Sequence, residues 1–307
     1  MGVVRSVLLA GSESRWLRER APKLGFVRKA VSRFMPGEDV ASALEATRAL
    51  GVGTVLTRLG ENVKDIREAA EVTTHYLDVL ERVRSASLDA EISIKLTQLG
   101  LDLSREECEK NVLALIERAS ALSNWVWIDM EGTAYTDVTL EIYRRARAVH
   151  ANVGVCVQSY LYRTAKDLDS LIPLGAGLRL VKGAYLEPPD KAFPKKSDVD
   201  ENFFALATRM LSPEARAKGV RAIFGTHDGA LIRRLEELGR SSNLSPQALE
   251  FQMLYGIGRR EQERIAKAGY RFRVLVSYGD AWFPWYMRRL AERPANVLFV
   301  ARNLFAR

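Results

Sequence analysis

The chain has 307 residues, of which 47% are hydrophobic and 27% are charged, and its formal net charge is +8 at pH 7. This composition is that of an ordinary globular protein, so it excludes disordered and fibrous classes, and the length is sufficient for one large α/β domain. No apolar run approaches the roughly 18 residues that a membrane span requires, and we recognise no secretory signal, so we expect a cytoplasmic protein.

The first 35 residues carry the densest positive charge and end before a turn at Pro36-Gly37. We predict two helices here, over Glu13–Phe34 and Gly37–Leu50, forming a helical arm packed on the rest of the molecule. A basic arm is most often a solvated helical face, although it could also make a peripheral contact with an anionic membrane. No nucleic-acid motif with interleaved aromatic residues is present, so we expect no nucleic acid partner.

From residue 51 onward, short apolar runs rich in β-branched residues alternate with longer amphipathic stretches. The apolar runs predict eight strands: Gly53–Leu59, Glu91–Leu96, Trp125–Met130, Val153–Gln158, Gly177–Lys182, Arg221–Thr226, Leu249–Met253 and Phe272–Ser277. The stretches between them predict helices: Glu61–Arg84, Ser104–Ala119, Thr136–Ala148, Thr164–Leu171, Val199–Leu211, Ala230–Leu238 and Arg259–Ala268. This alternation favours parallel strands joined by right-handed crossovers.

Eight parallel strands can close into a barrel or form an open doubly wound sheet. The sequence has no G-x-G-x-x-G after its first strand to favour the open sheet. We therefore predict an α/β fold, a TIM-type (βα)8 barrel over residues 51–307, preceded by the helical arm of residues 1–50. No Pro-, Gly- or Ser-rich linker divides the chain, so we expect a single structural domain.

Polar residues stand at the ends of successive predicted strands, where a βα barrel has its active site. Lys95, Asp129, Gln158 and Arg179 occupy these positions in strands two to five. Because side chains alternate faces along a strand, we expect the four residues to converge near the barrel mouth if that face looks inward. A buried ion pair could be purely structural, but desolvating each ion is costly, so a bound ligand explains the cluster better.

Three more features lie close to the predicted mouth. Lys182-Gly183-Ala184 combines a cation with small residues that let a backbone approach a cofactor closely. His227 follows the sixth strand and could either bond a flavin or be an ordinary loop histidine. In the helical stretch after the eighth strand, Arg288 and Arg289 offer planar groups suited to a carboxylate, and Glu292 stands four residues from Arg288, where it can pair with it.

The cysteines and the other two histidines give no sign of a metal or redox site. Cys108 and Cys156 cannot form a disulfide framework or a four-ligand zinc site, so we expect reduced packing thiols and no bound metal. His75 and His150 fall on a predicted helix and a predicted loop, where we expect them to be exposed to solvent.

With these residues assembled, the chain resembles the monofunctional bacterial proline dehydrogenases from about Gly51 to Glu292. Seven ordered stretches carry the resemblance: Ser93–Gly100, Ile128–Glu131, Val157–Arg163, Leu180–Pro188, Thr226–Asp228, Phe251–Gly256 and Arg288–Pro294. The resemblance implies a distorted (βα)8 barrel that binds FAD at the carboxyl ends of its strands. It also implies oxidation of L-proline to 1-pyrroline-5-carboxylate by hydride transfer to flavin N5, with a quinone as electron acceptor.

The resemblance further implies roles for individual residues. Asp129 and Arg179 fall at active-site positions, with Arg179 near the flavin N5 and Asp129 ordering the polar network. The implied substrate contacts are Lys95, Tyr185, Leu275, Arg288 and Arg289, with Glu61 as the gate partner of Arg288. The implied FAD contacts are Met130, Gln158, Lys182, Gly183, Ala184, Thr226 and His227.

Three positions depart from the family pattern. Leu275 replaces a tyrosine of the substrate wall, and Asp280 replaces an arginine, so we expect an altered choice between proline and hydroxyproline. Thr57 stands where relatives often have an acidic residue.

Two other functions stay open. A lysine Schiff-base lyase or aldolase on the same barrel could use Lys95 or Lys182. A noncatalytic basic scaffold could dock to a membrane or nucleic acid through its N-terminal helices, in which case its binding would depend on salt. No feature of the sequence specifies an oligomeric state.

Overall fold

The computed structural model describes residues 31–292, with side chains as far as Met287 and the backbone alone for residues 288–292. Most of the predicted helix Glu13–Phe34, and with it most of the N-terminal arm, lies outside the described residues, as do residues 293–307.

Eight strands form the centre of the fold: β1 (Gly53–Arg58), β2 (Ala90–Ile94), β3 (Val126–Ile128), β4 (Val153–Gln158), β5 (Gly177–Val181), β6 (Arg221–Gly225), β7 (Glu250–Leu254) and β8 (Arg271–Tyr278). Each pairs in parallel with its sequence neighbours, and β8 pairs with β1, so the sheet closes into a barrel. The predicted TIM-type barrel is therefore confirmed, and the open doubly wound alternative is wrong.

The helices of the described residues are α1 (Val40–Leu50), α2 (Ile66–Ser85), α3 (Arg105–Ala121), α4 (Thr136–Val149), α5 (Thr164–Leu171), α6 (Lys196–Met210), α7 (Pro213–Ala217), α8 (Gly229–Ser241), α9 (Arg259–Lys267) and α10 (Trp282–Glu292). The sequence pattern does not predict α7, a single short turn that Ser212 caps by accepting from the Ala215 N–H at 3.1 Å. None of these helices is long and apolar enough to cross a membrane.

Helix α2 begins five residues later than the sequence predicts. The carboxylate of Asp65 accepts from the backbone N–H of Arg67 at 2.8 Å and so caps a helix that starts at Ile66. Before this cap, Gly60 and Asn62 have φ angles of 149° and 53°, which a helix cannot contain. The prediction of a helix from Glu61 is wrong at this end, and Glu61 lies in the loop between β1 and α2.

Two tryptophans fill the barrel interior below the mouth. The fully buried Trp127 packs against Leu275, which also points inward. A Cβ atom at Gly154 would lie 2.3 Å from the Trp127 ring, and one at Gly177 would lie 2.7 Å from the Trp125 ring. Glycine at these two positions therefore makes room for the indoles, which form a floor beneath the carboxyl ends of the strands.

Under this floor, at the opposite end of the barrel, arginines and carboxylates pair with one another. Arg221 contacts both Glu91 and Glu250 at 2.8 Å, and Arg273 contacts Asp89 at 2.7 Å. The Arg221 guanidinium also lies 4.9 Å from the centre of the Trp125 ring. These mutual contacts at the amino ends of the strands fit a role in stability rather than in chemistry.

Helix α10 packs beside the barrel mouth. Trp282 and Trp285 form one apolar cluster with Phe34 and with Leu59, which directly follows β1. The indole N–H of Trp282 donates to Glu38 at 3.0 Å. This packing holds α10, the helix that contains Arg288 and Arg289, next to the carboxyl ends of the strands.

Candidate active site

Asp129, which follows β3 at the mouth, joins side chains from two other strands, β2 and β5. Its Oδ2 accepts from the Lys95 ammonium at 2.9 Å, and its Oδ1 accepts from the Ser93 hydroxyl at 2.8 Å and from Arg179. Arg179 also donates to the Ser93 hydroxyl at 2.8 Å. The structure thus brings together three of the four residues that the strand-end pattern predicts to converge.

Arg179 is held on several sides and is only 4% exposed. Besides Ser93 and Asp129, it contacts the amide oxygen of Gln252 at 3.4 Å, and its guanidinium lies 5.3 Å from the centre of the Trp127 ring. These contacts fix the direction of its positive charge at the base of the mouth.

The charges in this cluster stabilise one another. Burial opposes ionisation of Asp129, but the positive charges of Lys95 and Arg179 outweigh it and hold the pKa of the carboxyl below its usual range. Burial likewise tends to lower the pKa of Lys95, but the negative charges of Asp129 and Glu61 outweigh it, so that pKa is raised. Asp129 is therefore a carboxylate and Lys95 an ammonium at neutral pH.

Gln158, the fourth predicted member, lies apart from this cluster. Its amide nitrogen donates to the backbone oxygens of Met130 at 3.3 Å and Glu131 at 3.4 Å. Among the described residues, its side-chain oxygen finds no hydrogen-bond partner, and neither do the Gln252 amide nitrogen and the Ser277 hydroxyl, all of them buried. A ligand with both donors and acceptors would satisfy these atoms.

Lys182, directly after β5, is neutralised by acidic side chains. Its ammonium lies 2.5 Å from Asp200 and 2.8 Å from Asp228, and Lys196 contacts the same two carboxylates. Burial opposes ionisation of Asp228, but the hydrogen bonds from the two lysines hold its pKa well below the usual range. Two cations therefore face two anions at this rim of the barrel.

Gly183 occupies a position where a side chain cannot fit. Its φ angle is 115°, and a Cβ atom would lie 2.3 Å from the Tyr160 ring. Glycine is therefore needed here to let the β5–α6 loop, which continues through Ala184, pass over that ring. Nearby, Thr226 accepts from the Asp228 N–H at 3.1 Å, and the His227 Nε2 accepts from the Leu254 N–H at 3.2 Å.

The remaining predicted substrate residues lie around the same opening. The Tyr185 hydroxyl donates to Glu61 at 3.2 Å, which joins the β1–α2 loop to the β5–α6 loop. Leu275 lies on the interior floor beside Trp127. Arg288 and Arg289 belong to α10, but their side chains, and the predicted pair of Arg288 with Glu292, lie outside the described residues.

Of the other titratable residues, the histidines differ from the prediction. The expected solvent exposure of His75 is wrong: it is half-buried, and its Nε2 lies 2.8 Å from the hydroxyl of the buried Tyr278, which needs a partner. His150 is also only half-exposed, at the end of α4. Cys108 and Cys156 are buried and free, as predicted.

A cavity of about 590 Å³ opens at the other end of the barrel. It is lined by residues that include Asp89, Trp125 and Arg273, at the amino ends of the strands. Chemistry in βα barrels takes place at the carboxyl ends, and the Asp89 and Arg273 charges are paired with each other. We therefore place the candidate active site at the Asp129 cluster and not in this cavity.

Comparison with known proteins identifies the family of the chain. The family model described as proline dehydrogenase matches residues 40–302. The chain belongs to the proline dehydrogenase family. Proline dehydrogenase 1 of Bacillus subtilis subsp. natto is 36% identical over 305 residues, which cover 98% of this chain and 99% of the relative. Proline dehydrogenase of Deinococcus radiodurans is 35% identical over 280 residues, 89% of each chain. The predicted family resemblance is confirmed.

Solved structures share the family's barrel. Proline utilization A from Bdellovibrio bacteriovorus, inactivated by N-propargylglycine, superposes with a TM-score of 0.81 at 22% identity, covering 91% of this chain and 34% of that one. A mutant of proline utilization A from Bradyrhizobium japonicum gives a TM-score of 0.75 at 24% identity, covering 90% and 32%. The chain spans about a third of the length of these proteins, and the likeness concerns the fold.

Four residues of the site were not selected as site residues from the sequence. Ser93 and Gln252 hold Arg179, and Trp127 lies beneath its guanidinium. Glu131 is 3% exposed and accepts from both the N–H and the hydroxyl of Thr97. Two-residue alternation places Ser93 on the face of Lys95 and could have identified it, whereas the contacts of Glu131 have no local sequence signal.

Proposed function

We propose that the protein is an FAD-dependent proline dehydrogenase that oxidises L-proline to 1-pyrroline-5-carboxylate, the first step of proline catabolism. The observation that carries the proposal is the buried cluster of Lys95, Asp129 and Arg179 at the barrel mouth, in a chain of this family. We propose a quinone as the electron acceptor, and the support for this is the family resemblance alone. A peripheral membrane contact through the basic N-terminal arm would bring the protein close to such an acceptor.

The polar groups at the mouth suit the pyrimidine edge of a flavin. Hydrogen-bond acceptors and an N–H donor alternate along that edge. The buried side-chain oxygen of Gln158 is an acceptor and the buried side-chain nitrogen of Gln252 is a donor, and neither has a protein partner in the described chain. Arg179 adds a buried positive charge in contact with Gln252. The donor set of this site therefore fits the cofactor that the family resemblance implies.

The residues that would hold FAD follow four neighbouring strands, β3 to β6. They are Met130, Gln158, Lys182, Gly183, Ala184, Thr226 and His227. FAD, when bound, supplies the acceptor for the hydride that leaves the proline ring. Arg179 would direct its fixed positive charge toward the ring system, where it favours added negative charge without any rearrangement of the protein. Asp129 would keep Arg179 and Lys95 in place as an ionised carboxylate.

The substrate would enter between the flavin and the rim formed by α10 and the β1–α2 loop. Arg288 and Arg289 would bind the proline carboxylate, and Lys95 would add a third positive charge. Tyr185 and Leu275 would form the walls around the ring, and Glu61 would close the opening by pairing with Arg288. Such multiple contacts hold the reacting carbon at a fixed distance and orientation, which is a large part of the rate acceleration.

The electrostatics of the two candidate lysines disfavour the Schiff-base alternative. A lysine must lose its proton before it attacks a carbonyl, and the pKa of Lys95 is raised by neighbouring carboxylates rather than lowered. Lys182 is held between Asp200 and Asp228, at 2.5 and 2.8 Å. The Lys182 side chain is therefore engaged in two ion pairs at the rim of the barrel.

A visible spectrum tests the proposal directly. The purified protein should be yellow, and its flavin absorbance should fall when L-proline is added without oxygen, and less so with trans-4-hydroxy-L-proline. A colourless protein, or a flavin unaffected by L-proline, would refute the assignment. Trapping of substrate on a lysine by borohydride would instead support the lyase.

A pair of arginine variants tests the site within the same assay. We expect Arg179→Lys to slow flavin reduction by about 100-fold, the usual effect of removing one positioned donor. Arg221→Lys changes an arginine with a 14% exposed side chain at the far end of the barrel and is the control, with an expected change of less than about threefold. Equal effects of the two substitutions would show that the fold, and not the site, is being measured.

A further inference from the structure

The loop between β1 and α2 has positive φ angles at two residues. Asn62 has a φ of 53° and Gly60 has a φ of 149°, and asparagine and glycine are the residue types that adopt such angles most readily. A Cβ atom at Gly60 would lie 2.8 Å from the amide nitrogen of the buried Gln98. The loop, and with it Glu61, is therefore packed closely against the residues that follow β2.

Two backbone N–H groups of this loop donate to a single buried threonine, while the Asn62 side chain donates to the exposed carboxylate of Asp102 at 2.9 Å. The Asn62 N–H donates to the Thr97 hydroxyl at 3.1 Å, and the Val63 N–H donates to the Thr97 backbone oxygen at 3.3 Å. Thr97, just after β2, is fully buried, so water cannot take its place as the hydrogen-bond partner of either amide unless the loop moves.

Thr97 is held in turn by the carboxylate of Glu131, three residues beyond β3. The Thr97 hydroxyl donates to Glu131 at 2.6 Å, and the Thr97 N–H donates to its other oxygen at 3.1 Å. A hydroxyl has one proton, and an ionised carboxylate only accepts. The charge of Glu131 therefore directs that proton toward itself and leaves the oxygen lone pairs of Thr97 for the Asn62 N–H.

We propose that Glu131 is a positioning residue that, through Thr97, holds the Glu61 loop in the geometry that closes the site over substrate. The closing role of Glu61 rests on the proposed function, whereas the Glu131–Thr97–Asn62 contact chain does not. Glu131 touches neither Asp129 nor Arg179 through a hydrogen bond of its side chain. Its effect on turnover is therefore indirect.

The surroundings of Glu131 make this device sensitive to pH. The pKa of Glu131 is raised to about 7: burial raises it most and the charge of Glu61 adds to this, while the Thr97 hydrogen bonds and the charge of Lys95 oppose the rise. The other titratable groups that it influences are the buried thiol of Cys108 on α3 and the hydroxyl of Tyr135 before α4. Above pH 7 the carboxylate directs the Thr97 hydroxyl; below it, the protonated acid can donate to that hydroxyl and the preference is lost.

The raised pKa of Glu131 also gives a test that distinguishes a positioning role from a contribution to overall stability. A carboxyl whose folded pKa lies above its unfolded value binds a proton more tightly in the folded state, so its ionisation lowers stability as pH rises from about 4 to 7. Glu131→Gln, which cannot ionise, should therefore not lower the unfolding temperature at pH 8. A purely structural residue would show the opposite.

Hydrogen exchange of the holoprotein at pH 8 tests the contact chain without any substrate. In Glu131→Gln and Thr97→Val we expect peptides across residues 59–65 to exchange about tenfold faster at Asn62 and Val63, the effect of losing a charge-assisted hydrogen bond. Thr97→Ser, which keeps the hydroxyl, should retain wild-type protection. Glu236→Gln, which removes a buried carboxylate bound to Arg264 far from the loop, should also do so. Unchanged exchange in Glu131→Gln would overturn the proposal.

Turnover then tests the consequence for substrate. We expect KM for L-proline to rise by about fivefold in Glu131→Gln with kcat changed less than about twofold, because weaker closure affects binding more than chemistry. The step near pH 7 in kcat/KM should be present in wild type and Glu236→Gln and absent in Glu131→Gln. An unchanged KM together with faster exchange would overturn the link to closure. Lack of proline oxidation by the wild type would refute the proposed function but leave the exchange result standing.

Discussion

Replacing Asp129 with asparagine removes the one carboxylate that the side chains of both Lys95 and Arg179 contact in the described chain, while keeping its shape. The side chains of Lys95, Asp129 and Arg179 are 11%, 19% and 5% exposed, so water cannot replace the lost charge effectively. Breaking a buried pair by removing one partner costs about 3–5 kcal/mol, because the remaining charge is left uncompensated. Given the partial exposure, we expect the free energy of unfolding of Asp129→Asn to fall by about 3 kcal/mol.

The pH dependence of this loss has a definite sign. The folded pKa of Asp129 is depressed, so its stabilising contribution is present above its unfolded pKa of about 4 and is lost as pH falls further. The folded pKa of Lys95 is raised, so its contribution is present below its unfolded pKa of about 10 and is lost as pH rises through the folded pKa. In wild type the pair should therefore contribute a constant amount between these limits.

In Asp129→Asn the buried lysine loses its main counter-charge, and burial then tends to lower its pKa. A folded pKa below the unfolded one makes stability rise with pH, so the deficit of the variant should shrink between about pH 7 and 9.5. Urea unfolding followed by fluorescence at several pH values measures both quantities. A deficit below about 1 kcal/mol, or one that does not change with pH, would refute the view that these three residues form one charge-coupled unit.

Three further results are expected. Gly183→Ala should lower the free energy of unfolding by about 2 kcal/mol or more and reduce flavin retention, because its Cβ would meet the Tyr160 ring. Gly51→Ala, also at positive φ but in open space, should lower it by about 1 kcal/mol. Urea unfolding and the flavin-to-protein absorbance ratio compare the two variants. Leu275→Tyr should lower kcat/KM for trans-4-hydroxy-L-proline at least about tenfold more than for L-proline, since it fills space on the floor of the site. Burial raises the pKa of the Cys108 thiol to about 12 and also raises that of Cys156, so intact mass should show no iodoacetamide adduct before unfolding at pH 8.

The sequence predicts the barrel well because its signals are local and repeated. Strands of a closed parallel barrel are buried on both faces, so they appear as short apolar runs, and each is followed by an amphipathic helix. The meeting of Lys95, Asp129 and Arg179 is predictable for the same reason, since alternation and strand order alone place them on one inner face. Neither conclusion requires knowledge of side-chain packing.

Other features depend on contacts between distant residues and have no such signal. Glu61 lies in a loop because of backbone angles at Gly60 and Asn62 and a cap at Asp65, although the helical pattern extends across it. The glycine at position 154 is explained only by the Trp127 ring on the neighbouring strand. His75 is half-buried because the hydroxyl of Tyr278, 203 residues away, needs a partner. In each case tertiary packing overrides the local pattern.

The charge clusters at the two ends of the barrel both consist of basic side chains and carboxylates, but they differ in the ratio of positive to negative groups. At the amino ends of the strands, three arginines contact three carboxylates, namely Arg221, Arg271 and Arg273 with Asp89, Glu91 and Glu250. At the carboxyl ends, Lys95 and Arg179 share the single carboxylate of Asp129. The first set is balanced, whereas the second has one positive charge in excess at the contact level. A positive charge that exceeds its contacting carboxylates suits a site that binds a negative group, such as the carboxylate of an amino acid, or that stabilises the negative charge a flavin gains on reduction.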